Sequence, residues 1–278
     1  VHADVLDASA LRQVFASNAF DAVMHFCARS LVAESVADPY AYYSNNMGGT
    51  LALLTAMREA GVDRIVFSST AAVYGQPLSD SVDENHPTAP INPYGRSKLM
   101  AETVLADAAG AYGLRSIALR YFNAAGASAD ASIGESHEPE THLIPNALRA
   151  ASGSGPRLKV FGDDYPTSDG SCVRDYVHVD DIADAHLLAL AHLRDRAGAH
   201  VFNLGSEHGF SVFEVAAAAA AAAGRAIPYE VVGRRPGDPS RLVADSGKAR
   251  RQLEWRPRHS DIADIVASAW RWHRSPRY

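Results

Sequence analysis

The stretch Arg64-Ile65-Val66-Phe67-Ser68-Ser69 sets the tightest limit on how this chain can fold. Its apolar centre does not alternate, so neither face is solvated, and a strand covered on both faces belongs to a parallel sheet. Its neighbours agree. Ala22-Val23-Met24-His25-Phe26-Cys27 reads as another buried strand, fed by a short helix over Ser9–Ala19. A long helix over Tyr40–Ala60 follows, with Pro39 near its start and Gly61 just past its end. After the central strand, Pro93 opens a helix that runs to about Tyr112 and ends at Gly113. Ser116-Ile117-Ala118-Leu119-Arg120-Tyr121-Phe122 is the next strand. Strand, helix, strand, helix, strand implies right-handed βαβ units. The chain has 278 residues, 47% hydrophobic and 21% charged, which is enough apolar material for such a core.

The texture changes after Asn123. Ala124–His142 is rich in Gly, Ser, Ala and acidic residues and reads as a long loop, of the kind that is usually functional or mobile. Leu158–Phe161, Arg174–Val179 and Val201–Leu204 read as strands. Asp181–Arg194 reads as a helix with Asp180 as N-cap, and Ser211 caps another through Ala223. Ala216–Ala223 is low in complexity, but alanine is the best helix former. Helical patterns recur at Ser246–Leu253 and Ser260–His273. The expected organisation is an α/β fold with a doubly wound parallel sheet over 1–123. A smaller α/β part over 124–278 is interleaved with it, the segment near 173–205 returning to the first part.

Several function classes fall away. A net charge of -6 gives no basic footprint for nucleic acid. The longest apolar run, Val215–Ala223, is far short of the ~20 residues that span a bilayer. Two cysteines, Cys27 and Cys172, make no disulfide scaffold and suit a reducing compartment, hence a cytoplasmic protein. The polar start Val1-His2-Ala3-Asp4 is not a signal peptide.

The strongest chemical feature is Tyr94-Gly95-Arg96-Ser97-Lys98. Tyr94 and Lys98 are four apart inside a helix and share a face. A tyrosine with pKa near 10 is a poor base at neutral pH, but a nearby ammonium favours its phenolate. The pair is a candidate general base for a sugar hydroxyl. Upstream, the central strand ends in Ser68-Ser69-Thr70, where ligands of open α/β sheets bind. Thr70 can hydrogen-bond a reacting hydroxyl. Arg120-Tyr121-Phe122-Asn123 brings a polar residue to another strand end.

These motifs resemble the extended short-chain dehydrogenase/reductases, and within them the UDP-glucose (UDP-galactose) 4-epimerases. The most diagnostic stretch is Asp164-Tyr165-Pro166-Thr167-x-Asp169-Gly170-x-x-Val173-Arg174-Asp175-Tyr176-Val177-His178-Val179. Tyr42-Tyr43-x-Asn45-Asn46, Val73-Tyr74-Gly75, Asn203-Leu204-Gly205 and Arg234-Arg235-x-Gly237-Asp238 support it, and the resemblance runs along nearly the whole chain. It implies a Rossmann-type NAD domain, a UDP-sugar domain, and interconversion of UDP-galactose and UDP-glucose through a 4-keto sugar. Tyr94, Lys98 and Thr70 are then catalytic. The cofactor side is Asp4, Val5, Phe26, Arg29, Asn45, Asn46, Ser68, Ser69, Tyr94, Lys98, Tyr121 and Phe122. The substrate side is Thr70, Tyr94, Phe122, Asn123, His142, Leu143, Phe161, Arg174, Arg235, Asp238 and Leu242. Arg174 and Arg235 match diphosphate contacts, for which guanidinium forks are suited. Asp238 matches a contact to the uridine ribose. Family members are commonly homodimers through paired helices, here Tyr40–Ala60 and Pro93–Tyr112.

Departures qualify the resemblance. No glycine-rich pyrophosphate fingerprint occurs in this sequence, and Asp4-Val5 matches the region just after the third Rossmann strand. The expectation is that the first strands, roughly 50–60 residues at ∼30 per βαβ unit, are missing, and that the chain as it stands binds NAD weakly. Arg29 stands near a position where the family often has Lys. Leu242 is smaller than an aromatic, which leaves room for an N-acetyl group. A UDP-N-acetylhexosamine 4-epimerase, a UDP-pentose 4-epimerase and a non-catalytic nucleotide-binding protein are therefore the alternatives. A nucleotide-sugar 4,6-dehydratase is disfavoured, because Thr70 is followed by Ala71-Ala72 rather than an acid and a base. No metal is expected: His137-Glu138-x-Glu140-x-His142 lacks the helical H-E-x-x-H spacing, and the cysteines have no paired ligands.

Overall fold

The computed structural model describes residues 1–235 and 238–278. Gly237, part of the arginine-bearing motif above, lies outside the described residues. In chain order the elements are α1 (Ala8–Ser17), β1 (Val23–His25), α2 (Val32–Ala37) and α3 (Pro39–Tyr42), then a π-helical stretch Tyr43–Gly48 and α4 (Gly49–Glu59). Next come β2 (Arg64–Thr70), a 3-10 turn Ala71–Val73, α5 (Pro93–Tyr112), β3 (Arg115–Tyr121) and β4 (Asn123–Ala125). Then follow α6 (Leu143–Ser152), β5 (Leu158–Phe161), β6 (Val173–His178), α7 (Val179–Asp195), β7 (Ala199–Leu204) and β8 (Gly209–Ser211). The chain continues with α8 (Val212–Ala223), β9 (Tyr229–Val232), β10 (Arg241–Leu242), α9 (Gly247–Gln252) and α10 (Ile262–Arg274).

Two compact units divide these elements. Unit 1 is Val1–Gly75, Asn85–Arg120 and His186–Phe202; unit 2 is Gln76–Glu84, Tyr121–Ala185 and Asn203–Tyr278. In unit 1 the sheet order is β1-β2-β3-β7, and β1 runs parallel to β2 with Val23 opposite Ile65. Ile65, Val66 and Phe67 are buried, as a strand without alternation requires. Phe15, Leu53, Met57, Ile65 and Leu105 form one core under that sheet. The long helix expected over Tyr40–Ala60 is interrupted by the π-helical stretch, which carries Asn45 and Asn46. Such widened turns often sit at functional sites.

In unit 2, β6 is the hub. It pairs parallel with β4 and β10 and antiparallel with β8. β5 and β9 form a separate parallel pair. The alanine-rich α8 begins with a capping box, Ser211 and Glu214, and buries Val215, Ala216 and Ala219 with Ile144 and Leu148 of α6 and Ile265 of α10.

Several elements depart from the sequence reading. The expected loop over Ala124–His142 opens inside β4. α2 and the short strands β8, β9 and β10 were not expected, since two to six residues carry too little periodicity. α6 was also not expected, although Ile144, Ala147, Leu148 and Ala151 recur at helical spacing and are buried. Pro145 fits because the first turn needs no donor there. Among the described residues, no helix is long and apolar enough to cross a membrane.

Candidate active site

Unit 1 holds α5 against the end of β2 by three side chains. Tyr94 shares a hydrogen bond with Thr70. Lys98 Nζ donates to Ser68 O at 2.8 Å. Ser69 Oγ donates to Glu102 Oε1 at 2.5 Å. Residues 94, 98 and 102 lie one turn apart on α5, and their partners are three consecutive residues of β2. The helix comes this close because residue 95 is glycine: a Cβ there would stand 2.6 Å from Ala72 O and 3.0 Å from Pro90 Cβ. Its start is fixed by Pro93 in the first turn and by Asn92, which accepts from Gly95 N at 2.8 Å. Thr70 also accepts from Ala72 N at 3.1 Å, so its hydroxyl is held at the strand end.

Burial controls the proton affinities here. It pushes the Tyr94 phenol up, and the bond with Thr70 pulls the other way. This corrects the expectation that Lys98 lowers Tyr94. The Lys98 ammonium is engaged by Ser68 O and lies 4.8 Å from the Phe67 ring centre. Lys98 itself is pulled down to about 8 by burial, with Glu102 opposing. Glu102 in turn is paired with Arg120 at 2.5 Å, and Arg120 Nη1 donates to Tyr74 OH at 2.9 Å.

The cofactor-side candidates of unit 1 fall into two groups. Asn46 is buried and ties three segments together. Its Oδ1 accepts from Arg29 N at 2.8 Å, and its Nδ2 donates to Arg29 O and to Ser97 Oγ, both at 3.0 Å. Asn45 Nδ2 donates to Asn46 Oδ1 at 3.0 Å. The Arg29 guanidinium pairs with Glu34 at 2.7 Å, and Tyr42 OH donates to the same carboxylate. Phe26 is exposed just past β1 and stacks on His186. Asp4 accepts from Leu6 N at 2.8 Å, and Val5 lies against Gly49 at the start of α4.

Unit 2 carries most of the substrate-side candidates, several of them around β6. Arg174 Nη2 donates to Asp238 Oδ1 at 2.7 Å, and its Nη1 donates to Val173 O. Leu242 pairs with Arg174 in register across β10 and β6. Asn123 Nδ2 donates to Asp175 O at 2.8 Å. The Arg235 guanidinium lies 3.8 Å from the Phe161 ring centre, a cation–π stack. Phe122 N donates to Leu204 O, and Tyr121 ends β3. His142 is the N-cap residue and Leu143 the first residue of α6.

The sequence reading missed two buried carboxylates. Asp175 accepts from Ser206 N, Ser206 Oγ, Glu207 N and Ala244 N at 2.7–3.1 Å, and so anchors β6 beneath Arg174. Burial raises it to about 6 despite these donors. Glu102 is the other, and its place one turn after Lys98 is the signal that could have found it.

Residues 1–205 match the NAD dependent epimerase/dehydratase family. The chain is similar to the UDP-glucose 4-epimerase of Lactobacillus helveticus, 50% identical over 272 residues, covering 98% of this chain and 82% of that protein. The crystal structure of UDP-glucose 4-epimerase from Brucella ovis in complex with NAD matches with a TM-score of 0.94 and 47% identity, over 98% of this chain and 83% of that one. The UDP-glucose 4-epimerase from Bifidobacterium longum in complex with NAD+ and UDP matches with a TM-score of 0.95 and 42% identity, over 99% and 83%.

Proposed function

The chain belongs to the NAD dependent epimerase/dehydratase family, and from that premise we propose how its residues share the interconversion of UDP-galactose and UDP-glucose. When bound, NAD supplies the hydride acceptor for C4 of the hexose and the hydride that returns to the other face. The residues present fit the nicotinamide ribose end of that cofactor. Lys98 offers a buried ammonium and Tyr94 a hydroxyl one helical turn away, the donor set that a ribose diol takes.

Tyr94 takes the proton of the sugar 4-hydroxyl and later gives it back to the 4-keto oxygen. Thr70 holds that oxygen by a hydrogen bond throughout. Ser68 and Ser69 fix Lys98 and Glu102, and through them the helix that carries Tyr94. Asn45, Asn46, Arg29 and Phe26 contribute to the cofactor side, with Asp4 and Val5 toward the adenine and Tyr121 and Phe122 at a further strand end. Arg174 and Arg235 hold the diphosphate, Asp238 the uridine ribose, and Asn123, His142, Leu143 and Phe161 line the nucleotide. Leu242 faces the hexose, which must turn over while UDP stays fixed.

The observation that carries this reading is the three-point dock of Tyr94, Lys98 and Glu102 on Thr70, Ser68 and Ser69. It is tested by supplying NAD with either UDP-galactose or UDP-glucose and following both sugars. The same final mixture from either side is expected; no conversion under saturating NAD contradicts the assignment. The same reading makes the protein a cytoplasmic homodimer through α4 and α5. It draws on the exposed Leu51 and Met100 and on two free cysteines. Sedimentation at the mass of one chain would contradict the dimer.

A further inference from the structure

Tyr165 stands in the most diagnostic stretch of the sequence, yet no role falls to it in the reaction as assigned above. The residue is 6% exposed, and its hydroxyl oxygen is buried without a hydrogen-bond partner among the described residues. Buried hydroxyls are nearly always satisfied, because the contact with water that they give up is otherwise uncompensated. An orphan in a well-held side chain calls for a partner that another state of the site supplies.

The ring is well held. Tyr165 N donates to Gly170 O at 2.8 Å, and Tyr165 O accepts from Thr167 N at 2.8 Å. The Arg234 guanidinium lies 4.2 Å from the ring centre, and it pairs with Asp164 Oδ1 at 2.6 Å. A Cβ on Gly162 would stand 2.7 Å from Arg234 Cγ and 2.9 Å from Tyr165 Cε2, so glycine is what lets this stack close. Clamped in this way, the phenol has little freedom to seek a distant partner.

The carboxylate of Asp238 acts on this hydroxyl. Burial pushes the Tyr165 phenol up and Asp238 pushes it further, while Arg234 and Arg174 pull it down. The phenol therefore stays protonated and is a donor. Asp238 takes its present bond from Arg174 Nη2 at 2.7 Å, and Arg174 Nη1 donates to Val173 O. With Arg174 on the diphosphate and Asp238 on the uridine ribose, as proposed above, the two anions compete for the same guanidinium. The more highly charged diphosphate takes the larger share of its donors. Arg234 is committed to Asp164 and Arg235 is assigned to the diphosphate, so neither arginine is spare for the carboxylate.

We propose that Tyr165 is a positioning residue for the nucleotide: when the diphosphate draws Arg174 off Asp238, the Tyr165 hydroxyl donates to the Asp238 carboxylate and holds it toward the ribose. This rests on the reading that assigns Arg174 to the diphosphate and Asp238 to the ribose. It gives the buried hydroxyl its partner and keeps the carboxylate oriented in both states of the site.

The test measures UDP affinity of the full chain by calorimetry in the presence of NAD, for the parent, Tyr165→Phe, Asp238→Ala and the double variant. Tyr165→Phe weakens UDP binding by about 5–10-fold, the worth of one hydrogen bond to an acceptor that water partly reaches. Once Asp238 is alanine the same change costs less than about twofold, because the acceptor is gone. No weakening in the parent background overturns the proposal, and so does equal weakening in both backgrounds. Urea unfolding without nucleotide gives a second reading. The hydroxyl has no partner to lose there, so Tyr165→Phe leaves the midpoint unchanged or raised, and a lowered midpoint overturns the proposal. Should Asp238→Ala not fold, steady-state kinetics decide: Tyr165→Phe raises KM for UDP-galactose by about the same factor with kcat within about twofold, and an unchanged KM overturns it. UDP affinity untouched by Asp238→Ala removes the ribose assignment and this inference with it. Affinity lost in Asp238→Ala but kept in Tyr165→Phe removes this inference alone.

Discussion

Lys98 in unit 1 and Arg174 in unit 2 are both cations assigned to ligand oxygens, yet they are kept in different surroundings. Lys98 is buried, engaged by Ser68 O, and depressed to about 8. The Arg174 side chain is 13% exposed and its partner Asp238 is 29% exposed, so solvent reaches the pair. Arg235 stacks on Phe161 and is exposed as a residue. Proton chemistry needs fixed geometry and little water, because electrostatic effects on a pKa grow as water leaves. A nucleotide grip must be reachable before the ligand arrives, and arginine serves because it stays charged in either setting.

Variants can break this division. Tyr94→Phe removes the proposed proton carrier and is expected to lower kcat by about 10³-fold or more in a coupled assay of UDP-galactose turnover, as loss of a general base does. A loss within tenfold would move the proton chemistry elsewhere. Glu102→Gln leaves the Arg120 guanidinium buried without its carboxylate. Breaking such a pair costs about 3 kcal/mol in urea unfolding. A change near zero would show that the dock of α5 on β2 does not need that charge. The smallest effect is on pH dependence. Burial lowers His25 from 6.5 to about 4, with Lys98 adding to the shift. The unfolded chain therefore binds the extra proton between about 6.5 and 4, and stability falls as pH drops through that window. His25→Gln flattens the urea midpoint over that range; an unchanged slope would assign the acid sensitivity to other groups.

The sequence was most informative where physics acts along a short stretch. Ile65, Val66 and Phe67 announced a doubly covered strand, and the four-residue spacing of Tyr94 and Lys98 announced a shared helix face. Ser211 was legible as a helix start, and the structure adds Glu214 to it as a capping box. Less was legible where distant segments meet. Asp175 anchors through Ser206 and Ala244, which are 31 and 69 positions away. Asn46 joins residues 17 and 51 positions away. The raised proton affinity of Tyr94 was not legible either, since it depends on burial and on where the Lys98 ammonium points. The short β10 pairs with β6 only because the chain returns to it.

The division between the two units is tested most directly by the affinity for UDP alone, which lacks the hexose, measured by calorimetry in the presence of NAD. The account predicts that Tyr94→Phe binds UDP within about twofold of the parent chain, while Arg174→Leu weakens it by about 10–100-fold, the worth of a charged hydrogen bond. Equal weakening by both variants, or none by Arg174→Leu, would contradict the separation of proton chemistry from nucleotide grip.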